Sequence, residues 1–141
     1  MEDCEKVLYN AELSEQTERF QDMAKYMRLF VVDRERLNLY QRSLLSIACK
    51  NVIGELRASW RVVSSIMSSE KDEAKLSIIK KYKLKLEREM DENCEEVQDT
   101  LERLILGSKD DPDAMVFYHK MSVRYLWINV RLYPRDWLQI T

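Results

Sequence analysis

Glycine and proline occur at only four places in this chain, Gly54, Gly107, Pro112 and Pro134. Tight turns between strands need residues that tolerate a positive φ or bring a preset one. A sheet protein of this length would have too few places to turn. The rest of the sequence is rich in Glu, Lys, Arg, Leu and Met, which favour helix. The implied fold class is all-α, with long helices joined by short links.

Apolar spacing resolves five helical stretches. The first covers about Glu2 to Glu15 and puts Val7, Leu8 and Ala11 on one face. The second, about Thr17 to Val31, carries Phe20, Met23, Ala24, Met27, Phe30 and Val31 at i, i+3, i+4 intervals. Asn38, with Gln41 three residues on, is a start signal for the third. It runs to about Met67 through Leu44, Leu45, Ala48, Val52, Leu56, Trp60 and Val63. Ser68-Ser69 interrupts it, and Ser69 with Asp72 can cap the fourth. The fourth has a seam of Ile79, Tyr82, Leu86, Met90, Cys94, Val97, Leu101 and Leu104, with Gly107 expected just past its end. Asp111 and Pro112 are the N-cap and first turn of the fifth, which continues through Met115, Tyr118 and Met121 and should stop at Pro134. Two of these helices are roughly 30 residues or more, well above the usual mean. That predicts an antiparallel helical array or bundle of about five helices. No internal repeat points to a solenoid.

Composition narrows the function classes. The 141 residues suit a single domain. With 34% charged and 45% hydrophobic residues, the chain can fold around a core and is not a disordered tract. No apolar run approaches the roughly 20 residues that cross a bilayer. The charged start Met1-Glu2-Asp3 has no signal-peptide core, so a cytoplasmic location is expected, with no membrane partner. A net charge of −2 argues against a general nucleic-acid binder. Cys4, Cys49 and Cys94 are far apart and odd in number, and His119 is the one histidine. Reduced, mostly buried thiols are expected, with neither metal nor cofactor. No nucleophile, base or phosphate loop is arranged for catalysis, so an enzyme is not expected.

The third helix holds the informative pattern. At about 100° per residue, Lys50 and Arg57 lie within roughly 20° of each other, Arg61 joins within about 40°, and Gly54 shares the side. A basic stripe with a gap in it lets an anionic chain approach the backbone. Spacing alone also fits a solvated face paired with nearby acids.

The segments Arg42-Ser43-Leu44-Leu45-Ser46, Lys50-Asn51-Val52-Ile53-Gly54 and Arg57-Ala58-Ser59-Trp60-Arg61-Val62-Val63-Ser64-Ser65-Ile66 closely resemble the signature stretch of the 14-3-3 family. The segment from Ala11 to Phe20 is similar to its first interhelical region, and Met115 to Met121 to its fifth helix. The resemblance covers about residues 2 to 126. Family members are nine-helix dimers that bind phosphoserine or phosphothreonine segments in an amphipathic groove. By that resemblance Lys50, Arg57, Arg124 and Tyr125 bind the phosphopeptide. Arg19 and Asp22 would meet Lys85 and Glu89 of a second protomer, with Tyr82 packing at the same interface. Lys85 and Glu89 are also i, i+4, which by itself suits a surface pair within one helix.

Three departures from the family pattern bear on function. Gly-Ala-Arg-Arg becomes Gly54-Glu55-Leu56-Arg57, losing one arginine and gaining an acid, which should weaken phosphate attraction. Only Ser122 and Val123 separate Lys120-Met121 from Arg124-Tyr125, three residues fewer than in the family. The shortening turns the remainder of the helix by about 60° and shifts it by roughly 4.5 Å, which should move Arg124 and Tyr125 off the family's positions. The resemblance then stops near Leu126, so residues 1–126 are expected to form a 14-3-3-like helical domain and 127–141 a divergent tail, leaving the groove without its opposing wall.

The reading is a regulatory adaptor that binds phosphorylated client proteins, weakened by truncation, as a homodimer or a heterodimer with family members. The alternative is a dimerisation subunit that pairs with full-length 14-3-3 proteins and binds no phosphopeptide. A poorly functional product of a truncated gene is the third.

Overall fold

Each of the five apolar stripes forms a helix in a computed structural model that describes residues 2–132, with side chains through residue 125. The elements are α1 (Asp3–Gln16), α2 (Phe20–Val31), α3 (Leu39–Ser69), α4 (Glu73–Gly107) and α5 (Pro112–Leu132), and no strand occurs among the described residues.

Local capping explains most of the boundaries. Asn38 Oδ1 accepts from the Gln41 N–H at 2.8 Å, while Gln41 Oε1 accepts from the Asn38 N–H at 3.0 Å, a complete capping box at the start of α3. Asp72 Oδ1 accepts from Ala74 N–H at 3.0 Å and opens α4. Ser69, expected to share that cap, is instead the last residue of α3. Asp111 Oδ1 accepts from Ala114 N–H at 3.2 Å ahead of Pro112. Pro134, expected to end α5, lies outside the described residues, as do residues 135–141.

Two boundaries differ from the sequence reading. Helix α2 starts at Phe20 rather than about Thr17, because Glu18 takes a left-handed conformation with φ 57°. The Arg19 N–H then bonds the Ser14 carbonyl at 2.8 Å and the Glu18 N–H bonds that of Glu15 at 3.0 Å. This pair of bonds normally recruits glycine at the left-handed position. Gly107, conversely, is the last residue of α4 and has no positive φ. A Cβ there would stand 2.5 Å from the Glu35 carbonyl oxygen, so close approach of the α2–α3 link is what favours glycine.

The core joins Met23, Met27 and Val31 of α2 to Leu44, Leu45 and Ala48 of α3 and to Met90, Leu101 and Leu104 of α4. Tyr118, Met121 and Tyr125 close it from α5. Burying each large side chain contributes about 1.5–3 kcal/mol. The helices form an array in which α1 packs on α2, α2 on α3, α3 on α4 and α4 on α5. Burial in α3 stops at Ile53 and in α4 begins only at Leu86. Tyr82, expected on the buried seam, is 51% exposed. Leu56 and Trp60 still pack against the core, so residues 61–69 and 73–85 make a two-helix arm that extends about 14 Å beyond it.

Candidate functional site

The Lys50/Arg57 face is set by what α3 does on its other sides. Leu45, Ala48 and Val52 are buried in the core. The Trp60 indole N–H donates to Glu87 Oε1 at 3.0 Å, and Lys83 Nζ lies 4.9 Å from the Trp60 ring centroid, which fixes α3 against α4. What remains open carries Lys50 and Arg61, both exposed, and Arg57, half-buried. The Arg57 Nε is buried without a hydrogen-bond partner, and neither Lys50 nor Arg57 makes an ion pair among the described residues. A buried guanidinium N–H with no acceptor is costly, and an incoming anion would relieve that cost. Gly54 has nothing within 4 Å of where its Cβ would be, so the stripe is open at that level.

Glu55 does not share this face. It lines a shallow cleft with Arg19, Phe20 and Asp22 at the start of α2. Positions 55 and 57 are about 200° apart on a helix, so the acid gained in Gly54-Glu55-Leu56-Arg57 points away from the cations it was expected to weaken.

Helix α5 is continuous across Ser122-Val123. Ser122 Oγ donates to Gln98 Oε1 at 2.8 Å and Gln98 Nε2 donates to the Ser122 carbonyl at 3.0 Å, which locks this part of α5 onto α4. Tyr125 then falls four residues after Met121 and seven after Tyr118, on the same buried stripe. It is 2% exposed, and its hydroxyl has no conventional hydrogen-bond partner. Burial chiefly, and then the neighbouring Cys49 and Cys94 thiols, push its ionisation well above the usual phenol range. Burial likewise pushes the Cys49 thiol up to about 12, opposed by its contact with Tyr125. Arg124, one residue earlier, is exposed and makes no ion pair among the described residues. Of the four nominated phosphate ligands, then, Lys50, Arg57 and Arg124 have open or half-open side chains, while Tyr125 faces inward.

Two parallel contacts tie α5 to α3. The Arg42 guanidinium lies over the Phe117 ring, 5.6 Å from its centroid, and Cys49 lies against Tyr125. Arg42 is only 6% exposed and also donates from Nη1 to the Leu37 carbonyl at 3.0 Å. Sequence reasoning passes over it as part of a motif. The signal for its burial is its place seven residues before Cys49, on the α5-facing line of α3.

The nominated interface residues are spread over two regions. Arg19 Nε pairs with Asp22 Oδ2 at 2.7 Å within α2. Lys85 Nζ sits 5.6 Å from the Tyr82 ring centroid on the arm, beyond the core. Glu89 lines a cleft of about 290 Å³ where Lys25 and Arg28 of α2 face Glu92 and Glu96 of α4, and Arg28 pairs with Glu96 across it. Val62, Ile66 and Ile78 add exposed apolar surface to the arm.

No disulfide joins Cys4, Cys49 or Cys94. Among the described residues, no group of three or more His, Cys, Asp or Glu side chains is arranged to hold a metal ion, and no helix is long and apolar enough to cross a membrane.

Comparison with known proteins adds to this geometry. The family model described as "14-3-3 protein" matches residues 10–127. A 14-3-3 family protein of Aspergillus flavus is 38% identical over 124 residues, covering 86% of this chain and 52% of that protein. A checkpoint signal transducer of Schizosaccharomyces pombe is 39% identical over 124 residues, covering 86% and 46%. A 14-3-3-like protein of Zea mays is 40% identical over 126 residues, covering 86% and 48%. The chain spans about half the length of the curated relatives it matches.

Proposed function

The chain belongs to the 14-3-3 family, and from that membership we propose that it is a regulatory adaptor that binds phosphoserine- or phosphothreonine-containing protein segments through Lys50, Arg57 and Arg124. The observation that carries this reading is the Arg57 guanidinium, half-buried on an open face with its Nε unpaired. A dianionic phosphate takes several fixed N–H donors, and the planar fork of arginine supplies two at once. Tyr125 is left out of the grip because its hydroxyl is buried, so binding relies on cations alone and is weaker than a grip with an added neutral donor.

Fluorescence anisotropy of a labelled phosphoserine peptide and its unphosphorylated twin tests this. Each charge-assisted hydrogen bond contributes about 1.5–3 kcal/mol, and 1.4 kcal/mol is tenfold in affinity. Lys50→Ala and Arg57→Ala are each expected to weaken the phosphopeptide by tenfold or more on that scale. Equal binding of the two peptides would overturn the reading.

The arm supports a second reading, a dimerisation subunit. Its exposed Val62, Ile66, Ile78 and Tyr82 offer apolar surface, and Lys85 and Glu89 offer charges for Arg19 and Asp22 of a second family member. Light scattering on the chain alone, and mixed with a full-length family member, separates homodimer from heterodimer. A monomer in both cases would remove this reading.

A further inference from the structure

Behind the phosphate face, on the far side of α3, helices α2 and α4 enclose a second site. Val52 and Leu56 form its floor, and position 52 is about 200° around α3 from Lys50. The cleft holds about 290 Å³, at the lower end of what small-molecule sites enclose. Lys25 and Arg28 stand on the α2 wall. Glu89, Glu92, Asn93 and Glu96 follow i, i+3, i+4, i+7 spacing on the α4 wall, so one helix face carries them all.

The walls are opposite in charge, and most of that charge is unused. Arg28 pairs with Glu96 across the cleft, while Lys25, Glu89 and Glu92 make no ion pair among the described residues. Asn93 Oδ1 is buried with no hydrogen-bond partner among the described residues. An acceptor left in that state is costly, and it selects a ligand that brings an N–H. Arg28, Asn93 and Glu96 also line a pit of about 10 Å³ whose other walls include Leu45, Val97, Leu101 and Met121. That is the room of about one water molecule, but the apolar lining suits a methyl group better.

Charge excludes most ligand classes. The three carboxylates repel phosphate and other anions, and Lys25 with Arg28 repels polyamines. A purely apolar molecule leaves Asn93 Oδ1 unpaired. A zwitterion with an apolar body meets all of these constraints. We propose that the cleft binds a free α-amino acid with a branched aliphatic side chain. Its carboxylate lies on Lys25, its ammonium on Glu92 and Asn93 Oδ1, and its side chain over Val52 and Leu56 with a methyl tip toward the pit. The site faces away from Lys50 and Arg57, and the inference does not rest on the phosphate reading.

Isothermal titration calorimetry on the full chain tests this with four ligands: L-leucine, glycine, isoamylamine, which lacks the carboxylate, and 4-methylpentanoate, which lacks the ammonium. L-leucine is expected to bind with a dissociation constant of about 0.01–1 mM, as a ligand of that size allows. Each of the others should bind at least about tenfold more weakly, for want of one charge-assisted contact or of the buried side chain. Asn93→Ala should weaken L-leucine about tenfold with the helical ellipticity unchanged, because alanine is the best helix former. Lys25→Gln, at an exposed position, should weaken L-leucine about tenfold and leave the residual binding of isoamylamine within about twofold, a split that general loss of structure would not give. The inference is overturned if L-leucine gives no saturable heat up to about 10 mM. It is also overturned if either single-charge analogue matches L-leucine, which makes the cleft a simple ion site, or if Asn93→Ala keeps full affinity.

Discussion

The two helical glycines should respond in opposite directions to the same substitution. Glycine inside a helix costs about 1 kcal/mol relative to alanine, so alanine is favourable wherever a Cβ fits. At Gly54 it fits, with nothing within 4 Å, and Gly54→Ala should stabilise the chain by about 0.5–1 kcal/mol. At Gly107 the new Cβ would meet the Glu35 carbonyl oxygen at 2.5 Å and the Glu35 Cβ at 3.0 Å. The obstacle is backbone, and that backbone is pinned on several sides. Arg103 Nη1 donates to the Arg34 carbonyl at 2.7 Å, the Arg34 guanidinium lies 4.1 Å from the Phe30 ring centroid, Arg36 pairs with Asp110, and Leu37 is buried. Forcing a methyl into a packed contact of this kind costs about 1–3 kcal/mol, which outweighs the propensity gain. Gly107→Ala should therefore destabilise by about 1–2 kcal/mol, the difference between those effects. In thermal melts monitored by helical ellipticity, the two variants should move the midpoint apart by several degrees, Gly54→Ala upward. A Gly107→Ala midpoint that rises with that of Gly54→Ala would show that the α2–α3 link yields freely, and would refute the reasoning from close approach.

Tyr125→Phe removes a buried hydroxyl without a conventional partner, so it should leave stability unchanged or raise it by up to about 1 kcal/mol, with phosphopeptide affinity unaltered; a tenfold loss in the anisotropy titration would show that the phenol reaches phosphate. Glu18→Gly relieves a left-handed non-glycine residue and should add about 1 kcal/mol in urea unfolding, whereas no gain would mean the Glu18 side chain offsets its own strain. The Cys49 thiol is raised from 9.0 to about 12 by burial, so the unfolded chain ionises first and stability should fall from about pH 9 toward pH 12, by at most about 1.4 kcal/mol per pH unit from this group. Below pH 9 its contribution is constant, and Cys49→Ser should flatten the alkaline decline; an identical decline in that variant would assign it to other groups. Tyr82→Asp with Lys85→Glu places acids on the arm and should convert any light-scattering dimer to monomer with the helical signal retained, an outcome that a dimer formed elsewhere on the chain would not give.

Legibility of the fold in the sequence depends on the range of the interactions. The capping box of Asn38 and Gln41, the cap at Asp72 and the Asp111-Pro112 start are made by residues within three positions of each other, and all of them form. The start of α2 was not legible, because Glu18 stands where the left-handed turn would normally advertise itself with glycine. Gly107 misled for the opposite reason: its glycine answers to Glu35, more than seventy positions earlier, and not to its own backbone angles. Tyr82 fits the apolar period of α4 but lies on the arm, where none of the described residues buries it.

The candidate site divides in the same way, and helical register decides each case. Lys50 and Arg57 are seven residues apart on a helix whose buried side is fixed by Leu45, Ala48 and Val52, so their common open face is legible in the sequence. The charge balance around them was not, because a local sum over Glu55 and the missing arginine ignores direction. A helix disperses neighbours: residue 55 turns toward Arg19 and Asp22 while residue 57 stays with Lys50. The short spacing between Lys120-Met121 and Arg124-Tyr125 was legible as a disturbance of register, but its result depended on whether α5 would bulge to compensate. It does not bulge, since the paired bonds between Ser122 and Gln98 hold the helix regular at the point where slack would be needed. Tyr125 must then go with Met121 into the core, while Arg124, one residue earlier, stays exposed. A shortened spacing in a regular helix therefore decides which of two neighbouring residues is buried and which stays exposed.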